Sequence, residues 1–338
     1  MADTPNIFDF ATGELSQDAF LAWISKWADS NFATIDPALN TVARSVLVEF
    51  CDNKISAADI KTVTVYLQYK KTDVLIDIEL KTDGVSNQLI LIEDKTGTGQ
   101  HSGQLQRYKE AIVEELQADG KFKDREPHYI YFKTHDHLTY DLSGFRSVNR
   151  NEFLKILESP VAKTINNQIF IDYVSRLRRM ENDSQAYSER LVEKWKYPQW
   201  SGFLMALCKR LGRDANFGFV PNPSGGFIAA WFGNIKIDGM EDSGSNLYFQ
   251  IEAFPKPFVL TLRISTPSKE STTELKNRIL PGLKAKLELA NLATSSKNLR
   301  SGKSIRLLTF DDVNICETDN KVGELANRIN EIFTIVSE

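Results

Sequence analysis

The sequence predicts an α/β chain in two parts: a mixed central sheet flanked by helices, followed by an α+β domain. Three observations carry this. Within the first hundred residues the hydrophobic period changes from the helical 3.6 to runs of β-branched and aromatic residues. One of those runs, Leu89 to Lys95 (LILIEDK), opens on four consecutive apolar residues, the mark of a strand covered on both faces. After a polar stretch at Glu181 to Tyr187 (ENDSQAY), read as a linker, a second alternation of helices and strands begins that does not repeat the first. A length of 338 residues fits about two domains.

Ser16 is placed to cap a first helix entered through Gln17 and Asp18, with Phe20, Leu21, Trp23, Ile24 and Trp27 at helical spacing. Asp36 and Pro37 open a second helix that runs to about Cys51. Strands follow at Thr62 to Tyr69, Asp73 to Leu80 and Leu89 to Lys95. Asp83-Gly84 lies in the turn between the last two, which is a hairpin signal. A helix from about Ser102 to Gln117 and a strand at His128 to Lys133 continue the pattern. Asn151 to Glu158, Asn166 to Asn182 and Ser188 to Lys196 read as helices. Beyond Trp200 come a helix (Gly202 to Leu211), strands at Gly226 to Phe232, Leu247 to Ala253 and Phe258 to Ile264, and a helix over Ser271 to Ala290 that Pro281 kinks or divides. A strand at Ser304 to Phe310 and a helix from Val322 to Val336 close the chain.

Composition excludes several classes. With 42% hydrophobic and 25% charged residues, the chain can bury a sizeable core and is not a disordered protein. No apolar run approaches the roughly 20 residues that span a bilayer, and the acidic N-terminus has no secretory pattern. Cys51, Cys208 and Cys316 lie far apart, so they read as buried thiols in a reducing, cytoplasmic setting rather than as a disulfide framework. Net charge is −4 but uneven: Thr261 to Arg306 holds 10 basic and 3 acidic residues, and Arg176 to Arg213 holds 9 and 4. Such clustering permits a basic groove on an acidic protein, and equally describes solvated helix faces.

The chemistry concentrates on the predicted hairpin. Side chains alternate faces along a strand, so Glu93 and Lys95 point the same way and Asp94 points away. Antiparallel pairing brings Asp73, at the start of one strand, beside the end of the next. Two carboxylates and an ammonium at one sheet end need compensation for their lost hydration. A Mg²⁺ (or Mn²⁺) ion supplies it, since hard cations take carboxylate, water and phosphate oxygens. An ion of this kind activates water and neutralises a phosphodiester in transition. A lysine beside it can position the water or hold a phosphate oxygen.

The run KKTDVLIDIEL, a hairpin, LILIEDK and then QLQRY resembles the PD-(D/E)XK nuclease superfamily, in its RecB-like branch with D…ExK…QxxxY. The resemblance covers about residues 5 to 135. It implies a restriction-endonuclease-like core in a nuclease-like domain over residues 1–180, with an α+β C-terminal domain over 188–338 that holds nucleic acid or a partner. It also implies that Asp73 and Glu93 bind metal and that Lys95 acts on water or phosphate. Gln104 and Tyr108, one turn apart, would organise the site. Glu14 is the matching acid of the first helix. The function implied is metal-dependent hydrolysis of phosphodiester bonds, with DNA the favoured substrate and DNA versus RNA left open, in a defence, restriction or repair setting. A catalytically inactive nuclease fold that binds nucleic acid or regulates a partner is the alternative. Self-association and an operon-encoded partner protein are both left open.

Other residues have weaker claims. Asp77 shares a face with Asp73 and is a rival ligand, and Glu49 could reach the site from the second helix. Glu79 reads as surface. Gln100 and His101 read as a helix entry, and Lys70 and Lys71 as DNA-steering or strand-end solvation. His135 and His137 are weak candidates for metal. Trp195, Tyr197 and Trp200, interleaved with Lys194 and Lys196, suit base stacking but fit core packing better. No phosphate-binding loop is present, so the chain carries no visible motor.

Overall fold

The computed structural model describes residues 5–82, 84–96, 103–117, 120–138, 142–212, 214–223, 225–236, 244–267, 269–296 and 302–337. The chain divides into two compact units, residues 1–181 and 182–338.

The first unit opens with α1 (Glu14–Trp27) and α2 (Pro37–Phe50). The start of α2 follows from its cap: the Asp36 carboxylate accepts from the Leu39 N–H at 2.9 Å, and Pro37 needs no donor there. Next come β1 (Ile60–Leu67), β2 (Val74–Leu80) and β3 (Gln88–Lys95), then α3 (Gln104–Gln117), β4 (Glu126–Lys133) and β5 (Arg146–Asn149). Helices α4 (Arg150–Leu157) and α5 (Gln168–Gln185) complete the series. The sheet order is β1-β2-β3-β4-β5. The first three strands are antiparallel to one another, whereas β3, β4 and β5 run parallel, so the sheet is mixed.

Strand alternation sorts the core into two layers. Val74, Ile76, Ile90, Ile92, Ile130 and Phe132 pack with Phe20 and Ile24 of α1, Leu47 of α2, Phe153 of α4 and Tyr173 of α5. On the other face Leu75, Leu89, Leu91 and Tyr131 pack with Leu105 and Ile112 of α3. Every residue of β3 is buried, as expected for a strand covered on both sides.

The second unit contains α6 (Tyr197–Leu211), β6 (Asn216–Val220), β7 (Phe227–Lys236), β8 (Asn246–Ala253) and β9 (Val259–Ser265). It ends with α7 (Lys269–Leu289), β10 (Thr294–Ser295), β11 (Ser304–Phe310) and α8 (Lys321–Ser337). Its sheet, in the order β10-β11-β9-β8-β7-β6, is antiparallel throughout.

Several expectations are corrected. Helix α1 begins at Glu14 with Gly13 at its cap, not at Ser16; an acid in the first turn is favoured by the helix dipole. The expected linker at 181–187 is helical as far as Gln185. Its polar residues have specific uses, since Ser184 is buried against Gly202 and the Asp183 carbonyl accepts from Gln199. The helix expected over 188–196 reduces to one turn at Val192–Lys194, because the Trp195 indole N–H takes the Arg190 carbonyl at 3.0 Å. Helix α7 runs through Pro281 undivided. Cys316 is exposed, while Cys51 and Cys208 are buried. Asp83 lies outside the described residues, as do Gln100, His101 and Ser102.

Candidate active site

The site is built at the carboxyl end of β3. Glu93 and Lys95 continue the Leu89–Leu91 face, toward α3. Pairing of Val74 with Ile92 leaves Asp73 beside them, and the Asp94 N–H donates to Asp73 Oδ2 at 2.8 Å. The Lys95 ammonium sits 2.6 Å from Glu93 Oε1, 3.8 Å from Glu14 Oε2 and 3.9 Å from Asp73 Oδ2. It also donates to the Asp94 carbonyl at 2.8 Å. Gln104 lies in the first turn of α3. Its amide donates to Glu93 Oε1 at 2.7 Å and to the Tyr108 hydroxyl at 2.9 Å. The structure thus brings all six residues singled out from the sequence into one connected group: Asp73, Glu93, Lys95, Gln104, Tyr108 and Glu14.

The carboxylates of Asp73, Glu93 and Glu14 flank the Lys95 ammonium, and Lys133 on the adjacent strand β4 also feels the Glu14 charge. Burial pushes the Glu93 carboxyl up to about 7, and the Asp73 charge adds to that against the opposing Lys95. For Lys95, burial works against the charge, but the hydrogen bond to Glu93 and the charges of Glu93, Asp73 and Glu14 outweigh it and raise its pKa. Glu93 Oε2 is buried and has no hydrogen-bond partner. An unpaired buried carboxylate oxygen is costly; a proton relieves that cost below about pH 7, and a divalent cation would relieve it once the acid is ionised. Among the described residues no three Asp, Glu, His or Cys side chains converge on one cation position. Two carboxylates completed by water and phosphate oxygens are the ordinary set for Mg²⁺, so Asp73 and Glu93 fit such an ion.

Behind β3, on the α1 face, lies a second polar group. Asp94 accepts a short hydrogen bond from the Gln17 amide, and the Thr134 hydroxyl donates to Gln17 Oε1 at 2.8 Å. Asp18 is buried beside them. Its pKa is raised to about 6, chiefly by burial and then by the Asp73 charge; burial also lifts Asp94 well above the usual range. Asp18 Oδ1 and Asp94 Oδ2 are both buried without a hydrogen-bond partner among the described residues.

A model of the PD-(D/E)XK nuclease superfamily matches residues 5–200, more than half of the chain. The chain belongs to the PD-(D/E)XK nuclease superfamily. Comparison with curated proteins and with solved structures gives no match.

In this nuclease-fold unit the rival residues go elsewhere. Asp77 is bound to Arg125, with Nε 2.8 Å from Oδ1. It stands four residues along β2 from Asp73, about 13 Å at strand rise, which separates it from the group around Glu93 and Lys95. Glu49 is paired with Arg146 at 3.0 Å, so it does not reach the site either. Glu79 is exposed and accepts from Thr62. His137 binds the His135 carbonyl at 2.9 Å, and burial pulls its pKa down to about 4. The His135 ring differs: its Nδ1 is buried without a hydrogen-bond partner among the described residues. Lys71 is exposed at the turn before β2. In the second unit Trp195 and Trp200 are buried and pack edge to face at 4.9 Å; Tyr197 is exposed. The sequence reading missed Gln17, Asp18 and Thr134. The available signal was Gln17, one turn beyond Glu14 on the same helix.

Proposed function

We propose that this protein is a Mg²⁺- or Mn²⁺-dependent nuclease that hydrolyses phosphodiester bonds in DNA, with Asp73 and Glu93 as the metal-holding carboxylates. The observation that supports it most is the buried Glu93 Oε2, which lacks a hydrogen-bond partner and stands beside Asp73, Glu14 and Lys95. A bound divalent ion supplies charge neutralisation at the phosphate and acidification of water. The chain's own residues do the rest. Lys95, held at the end of a rigid strand, presents an ammonium that can orient the attacking water or hold a phosphate oxygen. Gln104 fixes the rotamer of Glu93, and Tyr108 fixes Gln104. Glu14 adds a third carboxylate from α1, next to Lys95.

The second unit would hold nucleic acid or a partner. The excess of 10 basic over 3 acidic residues in Thr261 to Arg306 supports this. A cytoplasmic role in defence, restriction or repair fits such an enzyme. Purified protein with Mg²⁺ or Mn²⁺ should nick or degrade DNA, and Lys95→Ala should abolish this while retaining the folded far-ultraviolet circular dichroism spectrum. Equal cleavage by the wild type and Lys95→Ala would refute the assignment. Nucleic-acid binding with no cleavage in either would favour an inactive binding protein.

A further inference from the structure

We propose that Gln17 is a positioning residue of this site: its carboxamide ties α1, which carries Glu14, to the carboxyl ends of β3 and β4, and so sets where Glu14 stands relative to Glu93 and Lys95. The inference rests on the metal-dependent reading above.

Gln17 is buried, and both ends of its amide are used. The Nε2 group donates to the Asp94 carboxylate and, at 3.4 Å, to the Lys95 carbonyl. Oε1 accepts from the Thr134 hydroxyl at 2.8 Å. Thr134 follows the last residue of β4, and its N–H donates to the same Lys95 carbonyl at 3.4 Å. One side chain therefore spans two parallel strands at the point where the run Glu93-Asp94-Lys95 ends. Thr134 is itself anchored: its carbonyl accepts from Arg150 at 2.7 Å, and Arg150 is paired with Asp136 at 2.6 Å and Glu181 at 2.8 Å.

Glu14 and Gln17 are three residues apart on α1, one turn along one face. Glu14 stands 3.8 Å from the Lys95 ammonium and accepts from the Thr96 N–H at 3.4 Å. Gln17 adds two buried side-chain bonds at this end of the sheet, to Asp94 and to Thr134. The residue type matters too. A carboxamide donates and accepts at once, as Asp94 and Thr134 require. A glutamate would place acid against acid, and an apolar side chain would strand two buried polar groups. Gln17 makes no hydrogen bond to Asp73, Glu93 or the Lys95 ammonium, so any effect it has on the metal passes through backbone and helix position.

The test is calorimetric titration of Mg²⁺ into the full chain, stripped with a chelator, for the wild type, Gln17→Met and Thr134→Val, with thermal unfolding of each. Gln17→Met keeps length and loses every hydrogen bond. It should bind Mg²⁺ about 10- to 100-fold more weakly, the usual effect of losing a group that orients a ligand shell. Thr134→Val should move affinity the same way by less. If Gln17→Met does not fold, Thr134→Val carries the test alone. Wild-type Mg²⁺ affinity in the folded variants, even with a lowered melting temperature, would mean that Gln17 is structural only and would overturn the proposal. A wild-type chain that takes up no Mg²⁺ and cleaves nothing would overturn the nuclease reading, and the role of Gln17 with it.

Discussion

The raised pKa of Glu93 predicts that stability falls as pH rises while Mg²⁺ uptake at the proposed site increases. Its carboxyl is moved from an ordinary 4.5 to about 7, with burial the largest cause. Below 4.5 the acid is protonated in both folded and unfolded chains. Between 4.5 and 7 the unfolded chain releases the proton while the folded chain keeps it. The folded state then binds more protons, and its stability falls as pH rises. Above 7 both are ionised and the loss is complete. At about 1.4 kcal/mol per pH unit the total is about 3 kcal/mol, an upper bound for one group. Glu93→Gln removes this titration. Asp18 and Asp94, whose pKa values are also raised, remain in both proteins and cancel in the comparison.

The assay is urea unfolding in a chelating buffer at pH 5, 6, 7 and 8. The wild type should lose up to about 3 kcal/mol more than Glu93→Gln between pH 5 and pH 8. Adding Mg²⁺ should then stabilise the wild type most at pH 8, where Glu93 is ionised, by the mass-action increment of about 2.7 kcal/mol at 100 times the dissociation constant. Glu93→Gln should gain little. Parallel stability curves for the two proteins would show that Glu93 is an ordinary acid, and the argument for a cation at Oε2 would fall with it.

Gln104→Leu removes the bond that orients Glu93 and should lower cleavage about 10- to 100-fold, measured on plasmid DNA, without lowering the melting temperature of the metal-free protein. Arg150→Met removes the guanidinium that pairs with the buried carboxylates of Asp136 and Glu181 and should cost about 3–5 kcal/mol in denaturant unfolding. Gly202→Ala should cost about 1–3 kcal/mol, since a methyl there meets the Ser184 backbone and hydroxyl directly; an unchanged unfolding midpoint would show that α6 shifts freely.

The readable parts of the sequence were those governed by local periodicity. The β2–β3 hairpin and the common face of Glu93 and Lys95 follow from a period of two and a turn, and both are found. The strands β5, β6 and β10, of four, five and two residues, were not foreseen. A run that short carries almost no periodic signal, and it becomes a strand only because a neighbour offers it a ladder. The polar run at 181–185 misled for a related reason: its helical continuation depends on Gly202 and Gln199, which composition around residue 181 cannot reveal.

Asp73 and Asp77 expose the limit most clearly. They share a face of one strand, and parity gives them equal standing as ligands. What separates them is Arg125, 48 residues further along the chain, which neutralises Asp77 and leaves Asp73 beside Lys95. The same holds for Asp94. Parity correctly turns it away from the site, and only the fold supplies Gln17 and Thr134 on the face it turns toward. Strand periodicity therefore states where a side chain points, while partners distant in sequence decide what its charge is worth. In the run Glu93-Asp94-Lys95 the middle residue therefore matters as much as the outer two, because through it the strand is fastened to the helix that carries Glu14.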